Sequence, residues 1–170
     1  MKIAVLSDTH GKIGSTRRAL QLVRQHDVSA ILHCGDIGSA ALIPLFADWP
    51  THFVFGNVDY DEEQLRQAIQ LAGQTCHDRF GSITLADTRI ALLHSDDHQR
   101  FEQAITSGEF DLVCYGHTHR AEHHLEGNCL VLNPGALHRA KPHQFAIVDL
   151  PERTVEQVVV PPADDWPQWD

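Results

Sequence analysis

The chain has 170 residues and a mass of 19.0 kDa, 42% of them apolar and 21% charged, which is long enough to bury a core without disulfides or metals to hold it. Its 23 acidic residues outnumber 13 Lys and Arg, giving a formal net charge of −10; that argues against a general nucleic-acid binder and an anionic-membrane binder, both of which need a basic surface. An anionic substrate at one local site stays open, and 13 histidines, as many as Lys and Arg together, require an explanation.

Residues 2–6 (KIAVL) read as a short buried strand, and residues 15–26 as a helix with Ala19, Leu20, Leu22 and Val23 facing inward. Residues 30–33 (AILH) are the next strand, 39–47 a second helix that stops before Pro50, and 52–55 (HFVF) a third strand. This βαβαβ order predicts a parallel sheet with helices outside it. From residue 76 the rhythm changes to hairpins: 79–86 with 89–94 around Asp87 and Thr88, then a helix over 97–106 with Phe101, Ala104 and Ile105 on one face. A strand at 112–115 is next, then paired runs at 123–125 and 128–132 joined through Glu126 and Gly127, and a last hairpin of 145–150 with 154–160 around Pro151 and Glu152.

A parallel half and an antiparallel half packed sheet on sheet give one domain over residues 1–160. The fold class is α/β (α+β), a four-layer α-β-β-α sandwich of two mixed sheets flanked by helices. A tail, 161–170 (PPADDWPQWD), is expected to dock on the body or on a partner through Trp166 and Trp169. The N-terminal MKIAVLSDTHG is too short in apolar residues for a secretory signal, and no apolar run reaches the ~18 residues of a membrane span, so the expected location is the cytoplasm. Cys34, Cys76, Cys114 and Cys129 form no CxxC pair and lie in or beside apolar runs, as reduced and mostly buried thiols do.

Polar clusters come after the apolar strands one by one. IAVL is followed by Ser7, Asp8, Thr9, His10 and Gly11; AILH by Cys34, Gly35 and Asp36; FVF by Gly56, Asn57, Val58 and Asp59. IALL is followed by His94, Ser95, Asp96 and Asp97, LVCY by Gly116, His117, Thr118 and His119, and LVL by Asn133, Pro134 and Gly135. Residues just past the carboxyl ends of neighbouring strands converge on one crevice. Asp8, His10, Asp36, Asn57, His94, His117 and His119 should therefore meet there. Four imidazoles, two carboxylates and a carboxamide suit Mn²⁺, Fe²⁺, Zn²⁺, Co²⁺ or Ni²⁺ rather than a thiolate-preferring ion. Seven ligands exceed one closed tetrahedral ion and match two ions that share a carboxylate, a locally cationic pocket fit for phosphate.

The ordered series Asp8-Thr-His10, Gly35-Asp36, Gly56-Asn57-Val-Asp59, His94 and Gly116-His117-Thr-His119 resembles the calcineurin-like metallophosphoesterase superfamily, and the short chain resembles its small prokaryotic phosphodiesterase branch, over residues 2 to about 150. The resemblance implies that Asp8, His10, Asp36 and His119 hold one metal and Asp36, Asn57, His94 and His117 the other, with Asp36 bridging and Mn²⁺ the expected ion. It also implies a catalytic set of Asp36, Asn57, His94 and His117 and in-line attack of a metal-bridging hydroxide on a small phosphate ester. Asp59 is expected to steady the Asn57 turn or a histidine, and the turn at 133–135 to lie beside the site.

Two departures stand out. Many superfamily phosphoesterases carry a histidine where this chain has Val58, which cannot protonate a leaving group, so good leaving groups are favoured. The small branch often reads HGH where this chain has His94-Ser95-Asp96; Asp96 or Asp97 either adds charge beside the substrate or caps the following helix. Three functions compete: a phosphodiesterase, a phosphomonoesterase or nucleotide or dinucleoside-polyphosphate hydrolase aided by Arg139 and Lys141, and a scaffold resembling the retromer subunit of this fold, which uses its surface for assembly. Neither a membrane partner nor general nucleic-acid binding is expected, and homo-oligomerisation is left open.

Overall fold

Strand β1 (Lys2–Leu6) explains the layering. Ala4 and Leu6 face one side, Ile3 and Val5 the other, and all four are fully buried, so the strand has no face that can meet water. In the computed structural model of the chain, which describes residues 1–163, cover on both sides produces four layers. Trp166 and Trp169 lie outside the described residues.

The first sheet contains β1, β2 (Ala30–His33), β3 (Thr51–Phe53), β4 (Thr75–Cys76), β10 (His143–Asp149) and β11 (Thr154–Val160), in the order β11-β10-β1-β2-β3-β4. The second contains β5 (Phe80–Leu85), β6 (Thr88–Leu93), β7 (Leu112–Cys114), β8 (Ala121–Glu126) and β9 (Cys129–Pro134), in the order β5-β6-β7-β9-β8. The class and the mixed sheets match the expectation. The division into a parallel and an antiparallel half does not. The last hairpin returns to the first sheet, where β10 lies antiparallel to β1, while β6, β7 and β9 run parallel in the second. The open edge of β1 is the reason: Phe145 and Ile147 complete the core under the first sheet, and Ala146 and Val148 complete the core between sheets.

Helix α1 (Ile13–Val23) buries Ser15, Thr16, Ala19, Leu20 and Val23 against the first sheet, starting two residues before the expected Ser15. The predicted second helix is a 3-10 turn, Ala40–Phe46, because Pro44 has no N–H to donate and its ring crowds the preceding turn of an α-helix. Helix α2 (Glu62–Leu71) has no counterpart among the predicted elements. Asp61 caps it by accepting the Gln64 N–H at 3.0 Å, Glu62 and Glu63 fill its first turn, and Leu65 and Ile69 bury one face. Helix α3 (His98–Thr106) covers the second sheet, where Ala104 joins Ala91, Leu93, Val113 and Val131. The β5–β6 turn falls at Ala86 and Asp87, both with positive φ, one residue earlier than expected. No helix among the described residues is long and apolar enough to cross a membrane.

Candidate metal centre

The loops after β1 and β2 are tied backbone to backbone. Asp8 N–H donates to Gly35 O at 3.1 Å, His10 N–H to Asp36 O at 2.9 Å and Gly11 N–H to Ile37 O at 2.8 Å. Asp8, His10 and Asp36 sit in this stretch with φ of 54°, 45° and 54°, and His117 and His119, in the loop after β7, with 72° and 58°. Side chains other than glycine seldom adopt this left-handed backbone, and such strain persists only where the surroundings enforce it, most often at functional sites.

The seven candidate side chains converge. Asp8 Oδ1 lies 3.1 Å from His119 Nε2 and 3.7 Å from His10 Nε2, and those two nitrogens are 3.4 Å apart. Asp36 Oδ2 is 3.5 Å from His10 Nε2, and its Oδ1 is 3.3 Å from His94 Nε2. Asn57 Oδ1 is 3.2 Å from His94 Nε2 and 2.9 Å from His117 Nδ1. Asp36 thus stands between an Asp8–His10–His119 group and an Asn57–His94–His117 group.

Neighbouring residues aim these side chains. His94 Nδ1–H donates to the Cys34 carbonyl at 2.8 Å, which leaves the Nε2 lone pair facing Asp36 and Asn57. Asp59 accepts the N–H groups of Ile37 (3.1 Å), Gly38 (2.7 Å) and Gly56 (2.9 Å), clamping the Asp36 loop to the Asn57 loop. The amide of Asn133 donates to Gly116 O at 3.0 Å and Thr118 Oγ1 at 3.1 Å, bracing the GHTH loop, whose His117 N–H in turn donates to Asp8 Oδ2 at 3.1 Å. Two glycines are required by closeness alone. A Cβ at Gly56 would sit 2.1 Å from Asp36 Oδ1, and one at Gly116 2.0 Å from Ser7 Oγ.

A metal fits this arrangement on the chain's own terms. Asp8 is fully buried, yet its Oδ1 has no hydrogen-bond donor although it faces two imidazole nitrogens. Ligand atoms of Asp8, His10 and His119 lie within 4.8 Å of one another, as do those of Asp8, Asp36 and His94. Burial pushes the Asp8 and Asp36 carboxyls up, but the surrounding histidines outweigh it and hold both below the usual carboxylate range, ionised and ready to ligate.

The departures resolve simply. Val58 serves through its backbone, its N–H donating to Asp36 Oδ1 at 3.0 Å. Ser95 Oγ donates to Gly116 O at 3.3 Å; Asp96 pairs with Arg79 at 3.2 Å, and Asp97 caps α3 by accepting the Arg100 N–H at 3.1 Å. Sequence reasoning missed two histidines. His33, fully buried on β2, donates from Nε2 to Thr9 Oγ1 at 3.0 Å, and Thr9 donates on to Ile37 O at 3.1 Å. His138 packs on His10 with ring centroids 5.1 Å apart. A polar residue closing an otherwise apolar strand, and a histidine three residues past the NPG turn, were the available signals.

Comparisons with known proteins identify the family. A family model for the calcineurin-like phosphoesterase superfamily domain matches residues 1–153. A phosphodiesterase of Methanocaldococcus jannaschii is 31% identical over 138 residues, covering 79% of this chain and 83% of that protein. The structure of an archaeal phosphodiesterase superposes with a TM-score of 0.87 at 28% identity, over 94% of this chain and 99% of that one. The Vps29 structure from Entamoeba histolytica, solved with zinc, shares the fold with a TM-score of 0.65 at 16% identity, over 95% of this chain and 100% of that one. With its two-sheet fold and its relatives in agreement, the chain belongs to the calcineurin-like phosphoesterase superfamily and is a hydrolase of phosphate esters.

Proposed function

We propose that this chain is a dinuclear-metal-dependent phosphodiesterase of the cytoplasm, acting on small phosphate esters as one domain over residues 1–160 with a tail at 161–170. The observation that carries the reading is the position of Asp36, whose two carboxylate oxygens face His10 on one side and His94 on the other. Asp8, His10, Asp36 and His119 would hold one ion, and Asp36, Asn57, His94 and His117 the second. The mixed nitrogen and oxygen donors suit Mn²⁺ first, and Fe²⁺, Zn²⁺, Ni²⁺ or Co²⁺ as well. Bound there, divalent ions supply Lewis acidity toward phosphoryl oxygens and bring the ionisation of a coordinated water close to neutral pH.

The chain's own residues do the positioning. Cys34 O fixes the His94 tautomer, Asp59 sets the distance between the Asp36 and Asn57 loops, and Asn133 holds the loop carrying His117 and His119. Val58 has no proton to give a departing alkoxide, so esters with good leaving groups turn over fastest. The named activity of the Methanocaldococcus jannaschii relative supports a diesterase. No observation favours the scaffold reading, since every one of the seven positions keeps a side chain able to ligate. The test is cleavage of bis(p-nitrophenyl) phosphate by purified protein with Mn²⁺, Ni²⁺, Co²⁺ or Zn²⁺, alongside p-nitrophenyl phosphate. Cleavage of the diester in Mn²⁺, faster than the monoester, is expected, with about two transition ions per chain by elemental analysis. Inactivity with all four ions overturns the reading, and a faster monoester makes the chain a phosphomonoesterase.

A further inference from the structure

Beside the candidate metal centre runs a cleft whose lining is at odds with the rest of the molecule. One cavity of about 420 Å³ is lined by Lys12, Gly14, Arg18, His138 and His143 among others, and a second of about 520 Å³ continues from Arg18 and His143 to Lys141, Pro142, Val159 and Val160. The chain carries 23 acidic residues, yet none lines either cavity among the described residues. Among the described residues Lys12, Arg18 and Lys141 form no salt bridge there, whereas Arg24, Arg66, Arg79 and Arg89 are all paired with carboxylates. Cations with no carboxylate partner among the described residues, gathered on one concave surface, are a site for an anion rather than a solvated face.

Three details give the near end of this cleft its direction. The Arg18 guanidinium reaches back along its helix to Gly14, where a Cβ would meet Nη1 at 3.6 Å, and its Nε is buried without an acceptor. The Gly14 and Ser15 N–H groups, at the start of α1, have no backbone acceptor, and no acidic side chain occupies that first turn. His138 joins the cleft to the candidate metal centre, packing on His10 and lining the first cavity. The far end is apolar, through Pro142, Val159 and Val160.

We infer that this cleft binds a second phosphate of the substrate, held by Arg18, Lys12 and the first turn of α1, so that the preferred esters carry a further phosphoryl group beyond the scissile one and an apolar moiety beyond that. The inference rests on the proposed phosphodiesterase reading and narrows its substrate class. A phosphate takes two or three donors from such a corner, and a guanidinium supplies them in fixed geometry.

The experiment has two arms, so that failure of the subsite and failure of the enzyme reading are told apart. In the first, metal-free protein is titrated with inorganic phosphate against chloride of equal ionic strength, and backbone amide resonances are followed by NMR. The Gly14 and Ser15 amides are expected to shift saturably with phosphate, and Arg18→Gln or Lys12→Gln to weaken that binding about tenfold. Absence of a saturable shift overturns the subsite. In the second arm, the p-nitrophenyl ester of thymidine 5′-phosphate is compared with the same ester bearing a 3′-phosphate. The bisphosphorylated ester is expected to have the higher kcat/KM, and Arg18→Gln to lower the ratio of the two about tenfold. An unchanged ratio in both Arg18→Gln and Lys12→Gln, each folded by circular dichroism, overturns the inference. Inactivity on both esters with phosphate binding intact overturns the enzyme reading and leaves the anion site standing.

Discussion

The two sheets equip the site differently. The first supplies every acid: Asp8 and Asp36 from loops tied backbone to backbone, and Asp59 from the Asn57 loop, which its own carboxylate clamps to the Asp36 loop. The second supplies three of the four imidazoles, His94, His117 and His119, from loops held by side chains, Asn133 above all. Neither sheet owns a complete candidate ligand group: Asp8 and His10 need His119, and Asp36 needs His94. The candidate site therefore spans the gap between the sheets, and the apolar layer filling this gap, with Ile3, Val5 and Leu32 against Ile90, Leu92 and Leu112, is expected to set the distances between the candidate ligands.

Breaking the proposed shared ligand is the severest test. Asp36→Asn is expected to lower kcat/KM on a diester by about a thousandfold or more, with the fold intact by circular dichroism, and His117→Ala to behave alike; a variant keeping most of its activity removes Asp36 from the centre. A paired truncation sharpens the comparison. Leu92→Ala in the inter-sheet layer and Leu20→Ala under α1 should each cost about 2–5 kcal/mol in urea unfolding, yet only Leu92→Ala should also weaken Mn²⁺ binding measured by calorimetry. Equal metal affinities in the two would show that the gap does not set the ligand distances.

The first sheet's grip on its loops has a pH signature. His33 is fully buried and its pKa is pushed down to about 4, by burial first, while the unfolded chain protonates near 6.5. The unfolded state therefore takes up a proton that the folded state refuses between these values. Stability complete above pH 6.5 should fall by up to roughly 3 kcal/mol as pH drops to 4. Urea unfolding in chelator across this range should show the decline, and His33→Gln should flatten it.

Asp59→Asn replaces an acceptor of three backbone N–H groups with a group that presents donors as well. We expect a loss of about 1–3 kcal/mol and a roughly 10–100-fold loss of metal affinity, read by unfolding and by metal titration. The smallest effect belongs far from the gap. Arg89 grips Asp111 with two guanidinium hydrogen bonds of 2.8 and 3.0 Å and, with a third from its own backbone N–H, holds that carboxyl down to about 2, but both side chains are wet. Arg89→Ala should cost less than about 1 kcal/mol, and the cost should vanish in about 1 M salt.

Much of this molecule is legible in its sequence because both sheets bury strands on both faces: runs such as IAVL, AILH and IALL have no other use, and the residues directly after them have to lie at a strand end. Helix α2 was less legible, since only Leu65 and Ile69 mark its buried face, although Asp61 capping it was there to be read. The 3-10 turn at Ala40–Phe46 depends on one proline within an otherwise helical pattern. His33 looked like the end of a strand, and its bond to Thr9 is set by a loop that returns from another part of the chain.

The order of the ligand types, their places after the strands, and the mixed nitrogen and oxygen chemistry they offer were determined by the sequence alone, because these are local facts of spacing and side-chain identity. Tertiary structure decided which sheet receives the last hairpin, which backbone groups Asp59 and Asn133 hold, and that Lys12, Arg18 and Lys141 line one cleft beside His138 to which no acidic residue contributes among the described residues. Those are matters of distance between residues remote in the chain, fixed only when the packing of apolar faces sets how loops meet.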